Sequence, residues 1–253
     1  MKPIATSEVV RPPVNPQTKI WRYMDFTKFV AAIEHKGLFF SRCRQFEDPF
    51  EGSFPRANEP VRKESLLALN LAPERISALL SNRSAFYRWN RHWVVANCWH
   101  MSPWESAALW RLYSKTPDVV CIVSTYQRLR QCLPEEVLIG EVNYIDYNRT
   151  SLEEGNVMFP FVHKRLSFAH ERELRALVWD TNWPAMPGGG VDTGYIPSDP
   201  GRWVSCELAA LIELILVAPQ SHDWFLELVR RVAARYALSA EVRRSSLDEA
   251  PFY

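Results

Sequence analysis

Apolar and polar positions along the chain mark short strands interrupted by single helices. Ile20 to Met24 (IWRYM) reads as a strand. A helix begins at Asp25, with Asp25 or Thr27 as N-cap and Phe26, Phe29, Val30 and Ile33 repeating at helical spacing. Gly37 stands where that helix stops, and LFFSR is the next strand. The segment CRQFEDPFEGSF is turn-rich around Asp48-Pro49. Residues 61–93 read as two helices parted near Ala72-Pro73. VVANCWH (94–100) is a strand, and SPWESAALWRLYS is a helix with Ser102 as N-cap, Pro103 in its first turn and Glu105 closing a capping box. Val119 to Ser124, Val137 to Tyr144, Ala209 to Ala218 and Ala240 to Ser245 are further strands, and Trp224 to Tyr236 is an amphipathic helix. The Pro/Gly-rich stretch from Thr181 to Gly201, with its Gly188–Gly190 run, is long enough for a lid or a binding loop.

Helices and strands mix here without regular βα alternation. That order predicts the α+β class, with a central, mostly antiparallel sheet, flanking helices and a helical insertion at about 61–93. Residues 1–19, which contain several prolines, read as a loose arm, and 20–253 as one domain.

Composition narrows the function. A formal charge of +1 over 253 residues argues against a general polyanion binder. No segment approaches the roughly 18 uninterrupted apolar residues of a membrane span, so no membrane partner is expected. The N-terminus lacks the apolar core of a secretion signal. Five scattered cysteines without a CxxC pair suit reduced thiols and a cytoplasmic location. Cys98-Trp99-His100 has no second pair at zinc spacing, and no metal is expected. The ten tryptophans suit grooves as well as cores, because each indole N–H needs a partner.

Walker A, GxGxxG, GxSxG and HExxH patterns are absent, so any chemistry must come from dispersed residues. The stretch KRLSFAHERELRALVWD, from Lys164 to Asp180, concentrates charge. As a strand from His170 to Trp179 it carries Glu171 and Glu173 on one face with Arg175 and Leu177. Such a pair is either an acid/base pair at a pocket mouth or a salt-bridged strand end. Lys164 and Arg165 suit a phosphate contact or a solvated helix face. Phe86, Tyr87, Trp89 and Trp93, interleaved with Arg83, Arg88 and Arg91, form either a nucleic-acid surface or a helix with its aromatic side turned inward.

Three pieces resemble a large bacterial family, the domain of unknown function 2971. They are WRYMDFTKFVAAIEHKGLFFSR followed by Phe46-Glu47-Asp48-Pro49-Phe50-Glu51, the Trp110-to-Tyr113 segment leading into VVCIVS, and the KRLSFAHERELR element. The match spans most of residues 20–247. The chain departs from the family pattern at Glu47, where Asn is commoner, and at Asp118-Val119, where a glycine is usual. The order of elements is also similar to ADP-ribosyltransferase folds. That likeness implies NAD as cofactor, Arg22 on its phosphate or ribose, and Ser41 supporting the nicotinamide pocket. Glu173 would stabilise an oxocarbenium-like transition state, with Glu171 as activating partner and Tyr23 or Trp99 stacking on nicotinamide. Asp48 and Glu51 would border the same cleft. Tyr113 is either a ligand contact or a core residue. On this reading Glu173 serves activity more than folding. Three functions follow as alternatives. The first is an ADP-ribosyltransferase or NAD glycohydrolase with a protein or nucleic-acid acceptor, a toxin or phage-defence effector by the family's bacterial distribution. The second is a nucleic-acid-binding protein, and the third a non-catalytic interaction module.

Overall fold

The computed structural model describes residues 9–113, 118–184, 186 and 190–253. Its strands are β1 (Lys19–Asp25), β2 (Gly37–Arg42), β3 (Val94–Met101), β4 (Val119–Thr125), β5 (Leu138–Glu141), β6 (Asn143–Ile145), β7 (His163–Arg165), β8 (Glu173–Trp179), β9 (Gly201–Ser205), β10 (Leu214–Val217) and β11 (Glu241–Arg244). The α-helices are α1 (Phe26–Glu34), α2 (Asn58–Leu67), α3 (Pro73–Asn90), α4 (Ala107–Tyr113), α5 (Tyr126–Cys132), α6 (Leu208–Leu211) and α7 (Asp223–Arg235). This is an α+β fold around a large sheet ordered β11-β10-β4-β1-β3-β2-β9, with β8 pairing β3 and β5. All its pairings are antiparallel except β10 with β11, and a separate β6–β7 pair is parallel.

Alternation along the strands divides the core between two faces. Val95, Trp99, Leu174, Ala176 and Ile215 join α1 and α7 through Phe29, Phe225 and Val229. On the other face Val94, Ala96 and Leu177 pack under Cys43, Met158 and Phe161. Trp21, Tyr23 and Cys121 pack under Leu109 and Trp110 of α4. Fully burying one such aliphatic or aromatic side chain contributes about 1.5–3 kcal/mol.

The feature that positions the site is a fork in the sheet. Strand β8 takes one edge of β3 along its length, from Val94↔Trp179 to His100↔Glu173. On the opposite edge, β1 pairs only at Trp21↔His100 and Ile20↔Met101, and β2 only at Ser41↔Ala96 and Arg42↔Val95. Strands β1 and β2 therefore part company around Asn97 to Trp99. Side chains fill the gap: Arg22 Nη1 donates to Cys98 O at 2.5 Å, and Asn97 Nδ2 donates to Phe39 O at 2.9 Å.

Several sequence expectations need correction. The described part of the N-terminal arm is anchored, not loose. Val9 and Val10 are buried beside Met158 and Phe161, and Arg11 O accepts from Glu141 N. The strand expected over 137–144 breaks at Val142, whose N–H turns to Glu173 O, and pairing passes from β8 to β7. The strand expected over 209–218 opens as a helical turn, because Glu207 caps Ala209 N, and is extended only over β10. The capping box at Ser102 does not form. Glu105 accepts instead from Ser245, Ser246 and Trp110, and α4 starts at Ala107, with Ser106 Oγ accepting from Leu109 N. Strands β7 and β9 were not anticipated.

The described part of the 181–201 loop is tied down. Trp183 packs against Trp89, Trp93 and Trp179, and Trp89 Nε1 donates to Tyr195 O. Gly188 and Gly189 lie outside the described residues.

Gly52, closing the FEDPFE turn, adopts φ +71, and a Cβ there would sit 2.3 Å from the Phe161 ring. Gly52→Ala is expected to cost about 2–4 kcal/mol through backbone strain and overpacking. A thermal melt checks this, and adding Phe161→Leu should recover part of the loss.

Candidate active site

One buried ammonium gathers three carboxylates. Lys164, in β7, is 7% exposed, and its Nζ lies 3.0 Å from Glu51, 2.5 Å from Glu171 and 2.6 Å from Glu173. Arg175, 1% exposed, bridges from β8 to Glu173 (2.7 Å) and Glu51 (2.8 Å) and donates to Phe161 O (2.9 Å). The Phe46 ring lies 5.3 Å from its guanidinium carbon. Beside this cluster Arg165 grips Asp48 with two hydrogen bonds, and Asp48 Oδ1 also accepts from Phe50 N.

Local sequence explains the convergence. The FEDPFE turn is held by Asp48 and closed by Gly52, which aims Glu51 at β8. Strand β8 begins at Glu173, not at His170, because residues 166–171 wind into a 3-10 turn. Arg172 links the two at φ 42, ψ 55, a left-handed conformation that costs a non-glycine residue about 1–3 kcal/mol. It is held there by Met101 N donating to Arg172 O and by Glu171 O against His100 Nδ1 at 2.6 Å. This bend, and not strand alternation, brings Glu171 and Glu173 together on Lys164.

The electrostatics split the pair. Burial, reinforced by Glu173, pushes the Glu171 carboxyl up to about 7 in spite of Lys164. Burial acts on Glu173 too, but Arg175, Glu171 and Lys164 outweigh it and hold Glu173 well below the usual carboxylate range. Lys164 and Arg175 are held above their usual values by Glu173 and Glu51, against burial. Charge counting agrees. Three carboxylates face two cations in the core of the cluster, and one proton on Glu171 balances it. Two carboxyl groups with pKa values driven apart are how a site assigns one the acid/base role and the other a fixed charge.

The fork lies beside this pair. Arg22 is half-buried, and among the described residues the guanidinium N–H groups other than Nη1 have no hydrogen-bond partner. Tyr113, 46% exposed, stacks on Tyr23 (6.4 Å, 14°) and lies within electrostatic reach of Arg22, Glu173 and Glu171. Burial pushes the Cys98 thiol up to about 12. Ser41 is half-buried and pairs with Ala96, two residues from Cys98 along β3.

Of the residues picked out in the sequence, Glu51, Glu171 and Glu173 meet directly, Asp48 adjoins them, and Arg22 and Tyr113 flank them. Arg22 bonds Cys98 O and not a carboxylate. Tyr23 and Trp99 are corrected as stacking surfaces. Tyr23 is 5% exposed, with its hydroxyl accepting from Ser106 N, and Trp99 is 2% exposed, with its indole donating to Asn97. Neither ring has a face open to a ligand. Lys164 is neither on a helix nor solvated. Glu173 is 7% exposed, so its substitution is expected to cost stability as well as any activity, which a thermal melt of Glu173→Gln checks. Sequence reasoning missed Tyr144, whose hydroxyl accepts from Glu173 N, and the centrality of Lys164 and Arg175. The Glu-Leu-Arg spacing at 173–175 was the available signal, since it puts both charges on one face of a strand.

No family model matches the chain, and no curated protein matches it. Among solved structures it is similar to DarT from Thermus sp. 2.9 in complex with carba-NAD+, at 10% identity over 91% of this chain and 96% of that one, with a TM-score of 0.35. A likeness so loose identifies neither ligand nor activity.

Proposed function

We propose that this protein cleaves the nicotinamide–ribose bond of an NAD-type nucleotide at the fork where β1 and β2 part along β3, as an ADP-ribosyltransferase or an NAD glycohydrolase. The observation that carries the reading is the Glu171/Glu173 pair, one carboxyl near 7 beside one held ionised, next to a half-buried arginine with unpaired donors. Breaking the C–N bond leaves the electron pair on nicotinamide and positive charge on the ribose. The fixed anion of Glu173 stabilises that charge. An acceptor hydroxyl or water then bonds C1′, and its proton passes to Glu171, whose pKa suits a general base near neutral pH. Arg22 takes the pyrophosphate with its unpaired donors, and the half-exposed Tyr113 ring stacks on nicotinamide.

Incubation of the purified chain with NAD, followed by chromatography for nicotinamide and ADP-ribose, tests this directly. Nicotinamide release is expected, with Arg22→Ala raising KM more than it lowers kcat. An intact NAD pool, together with no NAD-dependent shift in melting temperature, would remove the proposal.

A further inference from the structure

A second feature stands apart from the carboxylate cluster, on the helical insertion. A pocket of about 240 Å³ opens between the end of the FEDPFE turn and helices α2 and α3. Its lining includes Arg62, Arg88 and Arg91 with Ser53, Phe54 and Tyr87, and no carboxylate among the described residues. Arg62 Nε is held by Glu154, which also receives Arg83, so that guanidinium is fixed in place. Its Nη2 and the Arg91 Nε are nevertheless shut off from water without a hydrogen-bond partner among the described residues. The Arg62 guanidinium also lies over the Phe54 and Tyr87 rings, and among the described residues Arg88 and Arg91 have no ion-pair partner, so the positive charge they bring to the pocket is left without a counter-ion. Positive charge extends beyond the pocket. The His92 imidazole is driven below its ordinary value by burial and then by Arg44, Arg91 and Arg42.

We propose that this pocket binds a phosphate group. Several guanidinium forks converging without a carboxylate in the lining suit a multiply charged, oxygen-rich anion. The volume is below the roughly 300–1,000 Å³ of drug-sized ligand sites, which fits one phosphoryl group and not a whole nucleotide. That group could belong to free phosphate or to the backbone of a nucleic-acid strand. The pocket is independent of the NAD reading, since neither its residues nor the readout below involve NAD.

The test uses the full chain and two probes. Inorganic phosphate is titrated by calorimetry at constant ionic strength, and a fluorescent single-stranded oligothymidine is followed by anisotropy. Both Arg88→Glu, at an exposed position, and Arg91→Gln are expected to weaken phosphate binding ~10-fold or more, with Arg88→Glu leaving the melting temperature unchanged. If the strand binds tighter than inorganic phosphate, and Arg88→Glu lowers its salt slope by about 1, the source is a nucleic-acid backbone. Equal affinities for the two probes make free phosphate the ligand. The proposal is overturned if neither probe binds, or if both variants bind as the parent does.

Discussion

Arg175→Met is expected to destabilise the protein by about 3–5 kcal/mol, the range for removing one partner from a buried ion cluster. For a chain of this size that is a fall in melting temperature on the order of 10 °C. Methionine matches the length of the arginine stem, so cavity formation contributes little. The loss is electrostatic. Glu51 Oε2 and Glu173 Oε2 lose their cation, Phe161 O loses its donor, and three carboxylates are left with Lys164 alone. Combining Arg175→Met with Glu51→Gln and Glu173→Gln should recover most of the stability, since an uncharged set no longer carries unpaired buried charge. A single-variant cost under about 1 kcal/mol would mean the cluster behaves as a solvated surface network.

Glu171→Gln separates activity from stability. The Glu171 carboxyl is raised in the folded protein to about 7, above its ordinary value. Its stabilising contribution is therefore fully present below the unfolded value and is lost as pH rises through 7. The parent should lose about 1–3 kcal/mol between roughly pH 5 and pH 8 from this group. The glutamine carboxamide has no proton to lose, so the variant should show a flatter profile and be the more stable protein at pH 8. Glu173, held low, contributes in the opposite sense and in a different window: its stabilisation is lost as pH falls below the ordinary carboxylate range. If NAD cleavage occurs at this site, the same Glu171→Gln substitution should lower kcat by on the order of 100-fold. Melts at the two pH values together with nicotinamide release decide the matter. An unchanged pH slope would show that Glu171 titrates as an ordinary carboxylate, and full turnover would remove it from the chemistry.

What the sequence determined by itself was periodic and local. Apolar spacing identified α1 and α7, which each bury one face, and the nearly unbroken apolar runs identified β3 and β4, which are buried on both. The turn chemistry around Asp48-Pro49 was legible as well, since Asp48 accepts from its own chain two residues on. The inward reading of the aromatic helix was legible only in part. Trp89 and Trp93 are buried in the tryptophan cluster, while Arg88 stays in solvent. Glu171 and Glu173 were visible as a pair, but for the wrong reason. Alternation would have joined them, whereas Arg172 at positive φ does so, and that conformation is imposed by bonds to His100 and Met101 on another strand. Long-range contacts also redirected Glu105 from its own helix to Ser245 and Ser246. The fork that frees Arg22 depends on which strands β3 meets, and the cations that hold Glu173 low while burial raises Glu171 come from β7 and β8. A pKa depends on the dielectric and on charges brought together from distant parts of the chain. Only the tertiary structure supplies those.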